Sequence, residues 1–133
     1  MIRIDRNNLM TMKKILVAED DDQIRLLLAK FLSRICDVML CPNAKEAIHL
    51  IESGEFKPDI ILTDYDCPDT ASGGRVIAAA HKHLPTATLI IMTGGAHDEE
   101  VLRQMHKIDE YLHKPFQLEQ LLEILTRHMP LPF

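Results

Sequence analysis

The chain has 133 residues, 47% hydrophobic and 26% charged, which suits one folded domain with its own core and excludes a disordered segment. Lys+Arg 15 against Asp+Glu 20 leaves a formal charge of −5 with no dense basic run, so no direct nucleic-acid partner is expected. No apolar run approaches the roughly 20 residues of a membrane span, and no membrane insertion is expected. Cys36, Cys41 and Cys67 form no CxxC pair; an odd count without metal spacing points to reduced thiols and a cytoplasmic protein.

Residues 1–12 carry no apolar stretch like a signal peptide and are expected to be a loose extension. From Lys13 onward short apolar runs alternate with amphipathic stretches. Ile15 to Ala18 reads as a buried strand. Ile24, Leu27, Leu28, Phe31 and Ile35 then recur at helical spacing, with Asp21 or Asp22 as the cap. Val38 to Cys41 is a weaker second strand. Asn43 caps the next helix, with Glu46 three residues on as in a capping box; that helix buries Ala47, Ile48 and Ile51 and stops at Gly54.

Ile60 to Thr63 is the third strand, and Val76 to Leu84 the third helix, ended by Pro85. Leu89 to Met92 is the fourth strand. A fourth helix is expected from about His97 to His106, burying Val101, Leu102 and Met105. Glu110 to His113 is the fifth strand, and Leu118, Leu121, Leu122 and Leu125 mark the last helix. Residues 130–133 form a tail that its prolines keep from being helical. The order is β-α repeated five times over residues 13–129. Central strands apolar on both faces, joined by right-handed crossovers, make an α/β fold: a doubly wound, open parallel sheet with helices on both sides.

In such a sheet ligands bind outside the carboxyl ends of the strands. There the sequence puts Glu19 and Asp20 after the first strand, Asp64 at the end of the third, Thr93 at the end of the fourth and Lys114 after the fifth. Asp21 and Asp22 are explained as helix caps, but two further acids exceed what capping needs. Carboxylates brought together in one pocket repel and raise one another's pKa unless a cation sits among them. The oxygen-rich set suits a hard divalent cation, Mg²⁺ or Mn²⁺. A lysine in that pocket either balances charge or holds the oxygens of a transferring phosphoryl group, with Asp64 as nucleophile and the Thr93 hydroxyl as a donor.

ILVAEDD, ILTDYDCP, LIIMTGG and YLHKPF, in this order and spacing, resemble the receiver domain of two-component response regulators. The resemblance implies a flavodoxin-like fold with strand order 2-1-3-4-5. It implies Asp64 as phosphoacceptor, Asp20 as direct metal ligand, Glu19 as an acid acting through water, and Asp66 as giver of a backbone carbonyl to the metal. Thr93 and Lys114 match the phosphate-sensing hydroxyl and lysine, and Tyr111 the aromatic switch. The Lys114–Pro115 bond is cis in similar domains. A histidine kinase or histidine phosphotransfer protein is the implied donor; the output is expected to be contact with an unknown downstream protein, by a monomer or weak dimer. The loop after Asp64 looks one residue longer than in similar domains, with glycines at Gly73 and Gly74. Ile124 stands where dimerising members carry an arginine. Two rivals are a receiver-like module that binds without phosphorylation, and an aspartyl-phosphate phosphatase suggested by the DxD spacing of Asp64 and Asp66. The latter is disfavoured because Pro68 stands four residues on and the motif follows the third strand. The domain itself is expected to catalyse only its own phosphorylation and dephosphorylation.

Overall fold

The computed structural model describes residues 12–65, 72–94 and 99–129. Five strands alternate with five helices: β1 (Lys14–Ala18), α1 (Asp22–Leu32), β2 (Asp37–Cys41), α2 (Ala44–Ser53), β3 (Ile60–Asp64), α3 (Ser72–His83), β4 (Thr88–Thr93), α4 (Glu99–Met105), β5 (Glu110–His113) and α5 (Leu118–Thr126). The strands form one parallel sheet in the order β2-β1-β3-β4-β5.

Side chains on a strand alternate between its faces, so each central strand feeds two cores. Ile15, Val17, Ile60, Leu62, Ile90 and Met92 pack on one side with Leu28 and Leu32 of α1 and Leu121, Ile124 and Leu125 of α5. Leu16, Ile61, Leu89 and Ile91 pack on the other with Ala47 and Ile51 of α2, Val76, Ile77 and Ala80 of α3, and Leu102 of α4. Burying each large aliphatic side chain is worth about 1.5–3 kcal/mol, which holds the helices to both faces.

Local chemistry sets the helix ends. Asp21, not Asp22, is the N-cap of α1: its Oδ1 accepts from the N–H groups of Gln23 and Ile24 at 2.8 and 3.0 Å. Asn43 accepts from the Glu46 N–H at 2.9 Å, and Gly54 closes α2 in the left-handed conformation (φ 73°) that a side chain would strain. Three expectations need correction. α1 ends at Leu32, so Ile35 is buried from the turn beyond it, and Leu27 is 48% exposed because Leu28 and Leu32 supply the inward stripe. α3 begins at Ser72, a turn before Val76, because Gly73 and Gly74 lie inside it despite their poor helix propensity. Met105, expected in the core, is 63% exposed: α4 is short and turns Leu102 inward, leaving its last residue facing solvent.

Candidate functional site

Between β1 and β3 the chain reverses its direction of travel across the sheet, and the carboxyl ends of strands at such a switch point are where open α/β sheets bind ligands. Glu19 follows β1. Its backbone N–H donates to the Cys41 carbonyl of the adjacent strand at 3.1 Å, which fixes its direction. Its side chain turns inward and is 1% exposed. Oε1 accepts from the Lys114 amine at 3.0 Å and from the Asp21 N–H at 3.2 Å. Oε2 lies 2.8 Å from the same amine yet accepts no hydrogen bond among the described residues.

Asp64 ends β3 and is 2% exposed; its Oδ2 accepts from Lys114 at 3.1 Å. Lys114 therefore bridges two buried carboxylates from the end of β5. Its own N–H donates to the Thr93 carbonyl at 2.8 Å, which ties the lysine to the end of β4, and the Lys114–Pro115 peptide is cis. Burial raises the Asp64 pKa, and the charge of Glu19 raises it further; the lysine pulls the other way and loses, leaving a value pushed up to about 6. Burial also works against a charged Lys114, but the hydrogen bond to Glu19 and the charges of Asp64 and Glu19 outweigh it, so its pKa is raised. The group is thus a cationic amine held between acids that one positive charge does not fully compensate.

Carboxylate oxygens of Glu19, Asp20 and Asp64 all lie within 4.8 Å of one another, with Asp20 exposed at the mouth. Three hard oxygen donors, a buried carboxylate oxygen without a hydrogen bond among the described residues and the raised Asp64 pKa together fit a small divalent cation such as Mg²⁺.

Thr93 is fully buried at the end of β4. Tyr111 pairs with Ile91 in the sheet, and Thr93 lies two residues on from Ile91, so the threonine and the tyrosine share a sheet face. Tyr111 is not part of the acid–lysine cluster. Its ring lies under the Arg103 guanidinium, 4.6 Å from the ring centroid, and its hydroxyl is buried without a hydrogen bond among the described residues. Burial raises its pKa. Asp66, Cys67, Pro68 and Gly95 lie outside the described residues. Ile124 is buried in the α1–α5 core.

Two features escaped the sequence reading. A Cβ added to Gly73 would meet Tyr65, the residue after Asp64, at 2.8 Å from Cδ2 and 2.9 Å from Cα, so this glycine lets α3 approach the end of β3. Tyr65 in turn lies 3.4 Å from His106 Nε2 at the end of α4. The second is Arg25, whose guanidinium donates to the Glu19 carbonyl at 3.0 Å. A basic residue so near a helix N-terminus opposes the helix dipole, and that was the available signal.

Residues 15–126 match the model of the response regulator receiver domain. The chain belongs to that family. It is 27% identical over 116 residues to the response regulator protein VraR of Staphylococcus saprophyticus, covering 86% of this chain and 55% of that one. It is 33% identical over 115 residues to the 3',5'-cyclic-nucleotide phosphodiesterase regA of Dictyostelium discoideum, covering 81% of this chain and 14% of that one. The chain thus spans at most about half the length of these two relatives. Among solved structures, the N-terminal domain of the nisin resistance regulator NsrR, a lantibiotic response regulator, superposes with a TM-score of 0.75 at 30% identity, covering 87% of this chain and 97% of that one. Receiver domains of two-component systems are in general signalling modules rather than enzymes, interact with histidine kinases or phosphotransfer proteins, and bind Mg²⁺ at an acidic pocket. No described helix is long and apolar enough to cross a membrane.

Proposed function

We propose that this receiver accepts a phosphoryl group on Asp64 from the phosphohistidine of a kinase or phosphotransfer protein and passes the signal on by protein contact. The observation that carries the reading is the Lys114 amine shared between Glu19 and Asp64 at the mouth of an acidic pocket. Glu19 and Asp20, with Asp64 and the Asp66 carbonyl, would hold Mg²⁺, which supplies positive charge against the carboxylates and the incoming phosphoryl oxygens. An Asp64 carboxylate oxygen attacks phosphorus as the P–N bond breaks; the bonding electron pair leaves with the imidazole, which is protonated. Lys114 holds a phosphoryl oxygen, and the Thr93 hydroxyl donates to another. Drawing Thr93 toward the phosphoryl group alters the space beside Tyr111 on the same sheet face, and the altered face of α4, β5 and α5 is what a partner reads. Such a switch works by population: phosphorylation favours one of two arrangements by the difference in contacts each makes.

The reading places the domain in the cytoplasm, where a kinase would meet it. Cys36 and Cys41 are buried free thiols with pKa values pushed up to about 11, chiefly by burial, and so are unreactive. With Ile124 in the core, no arginine stands at that position for a charged dimer contact, so a monomer or weak dimer is expected. The test is intact mass after incubation with acetyl phosphate and Mg²⁺. Wild type should gain one phosphoryl group and Asp64→Asn none; no gain in wild type, or an equal gain in the variant, rejects the reading.

A further inference from the structure

We infer that Arg25 is a positioning residue for the acidic pocket, holding the loop that carries Glu19 and Asp20 in place for a divalent cation. The inference rests on the proposed cation site. Arg25 sits in the opening turns of α1 and donates from one guanidinium nitrogen to the Glu19 backbone carbonyl at 3.0 Å. Its other terminal nitrogen pairs with the Asp22 carboxylate. Its backbone N–H donates to the Asp21 carbonyl at 2.9 Å. One residue therefore ties the end of β1, the N-cap and the first helical position together, and the Arg25 side chain is only 22% exposed in doing so.

The clamped carbonyl belongs to the peptide that joins Glu19 to Asp20. Holding that plane restrains the backbone of both acids. Glu19 points inward, where Oε1 accepts from Lys114 and from the Asp21 N–H. Asp20 is exposed, with a carboxylate oxygen within 4.8 Å of those of Glu19 and Asp64. Without the guanidinium, four successive acids, Glu19 to Asp22, would repel one another along a loop that loses its one described side-chain bond to the Glu19 carbonyl and keeps the strand bond, the cap and the Glu19 side-chain contacts.

Charge and position make opposite predictions here. A cation beside the pocket disfavours a second cation, so if Arg25 acted by charge alone its removal would tighten metal binding. If it acts by holding the loop, removal loosens it. Lysine keeps the charge but lacks the rigid planar fork with which the guanidinium holds a carbonyl and a carboxylate in fixed relation.

The experiment uses the full chain. Mg²⁺ affinity is measured by calorimetry on wild type, Arg25→Ala and Arg25→Lys, with circular dichroism to check folding. Amide hydrogen exchange at Asp21 is followed without metal. We expect both variants to bind Mg²⁺ more weakly, by about tenfold for alanine, the lower end for outer partners of metal ligands. We expect faster exchange at the Asp21 amide, whose acceptor is the Glu19 carboxylate. Affinity equal to or tighter than wild type in Arg25→Ala overturns the inference and leaves the cation site standing. A variant too unfolded to bind leaves the decision to Arg25→Lys, where wild-type affinity and wild-type exchange at Asp21 also overturn it. A wild-type chain that takes up no Mg²⁺ overturns the cation site itself.

Discussion

Replacing Asp64 by asparagine should stabilise the metal-free protein at alkaline pH. Asp64 is 2% exposed and its pKa lies at about 6 instead of the usual 3.8 because burial and the Glu19 charge outweigh the Lys114 ammonium. The folded value is the higher one. Between about 3.8 and about 6 the folded chain keeps a proton that the unfolded chain has lost, so stability from this group is fully present below that window and falls as pH rises through it. Two pKa units correspond to about 3 kcal/mol, and screening through the open Asp20 side reduces this to about 1–3 kcal/mol. Asparagine has the shape of the acid and lacks the charge. Urea unfolding at pH 8 with a chelator should therefore show Asp64→Asn more stable than wild type by that amount. The gap should narrow at pH 5, where wild-type Asp64 is itself largely protonated, and close again at pH 8 when Mg²⁺ stabilises wild type. A variant clearly less stable than wild type at pH 8 without metal would refute the reasoning, because the Lys114 attraction would then exceed the cost of burial.

Lys114→Met leaves Glu19 and Asp64 buried without their shared cation; loss of about 3 kcal/mol is expected at neutral pH without metal, with partial recovery on adding Mg²⁺, both read by urea unfolding. Gly73→Ala drives a Cβ to 2.9 Å from the Tyr65 backbone and should cost about 1–3 kcal/mol, whereas at Gly74, where the nearest atom among the described residues would be His106 at 3.7 Å, alanine should be neutral or stabilising by up to about 1 kcal/mol in the same assay. Thr93→Ala should still gain phosphoryl mass on Asp64, yet the NMR shifts of Tyr111 and α4 should no longer follow phosphorylation; an undiminished response there would remove Thr93 from the switch.

The fold was legible because each central strand is apolar on both faces and the first three helices carry a chemical start or stop. Asp21, Asn43 and Gly54 mark ends that pattern alone would blur. The reading failed where tertiary contact overrides propensity. Gly73 and Gly74 look like a loop, and only the closeness of Tyr65 shows why a helix keeps a glycine there. Met105 keeps helical spacing, yet α4 is too short to carry it over the core. The acid–lysine cluster was foreseeable from strand ends, since β1, β3 and β5 all release their chemistry at one edge of the sheet. For the Arg25 clamp a basic residue near a helix start was the one signal, and it does not identify which peptide the guanidinium holds.

A crystal structure with Mg²⁺ and beryllofluoride, a stable mimic of the phosphoryl group, tests whether the pocket does what its residues suggest. The beryllium should be bonded to an Asp64 carboxylate oxygen, with the Lys114 amine and Thr93 hydroxyl on its fluorines and the metal held by Asp20 and Asp64. Beryllofluoride bound elsewhere, or Lys114 turned to solvent with the three acids holding no metal, would contradict it.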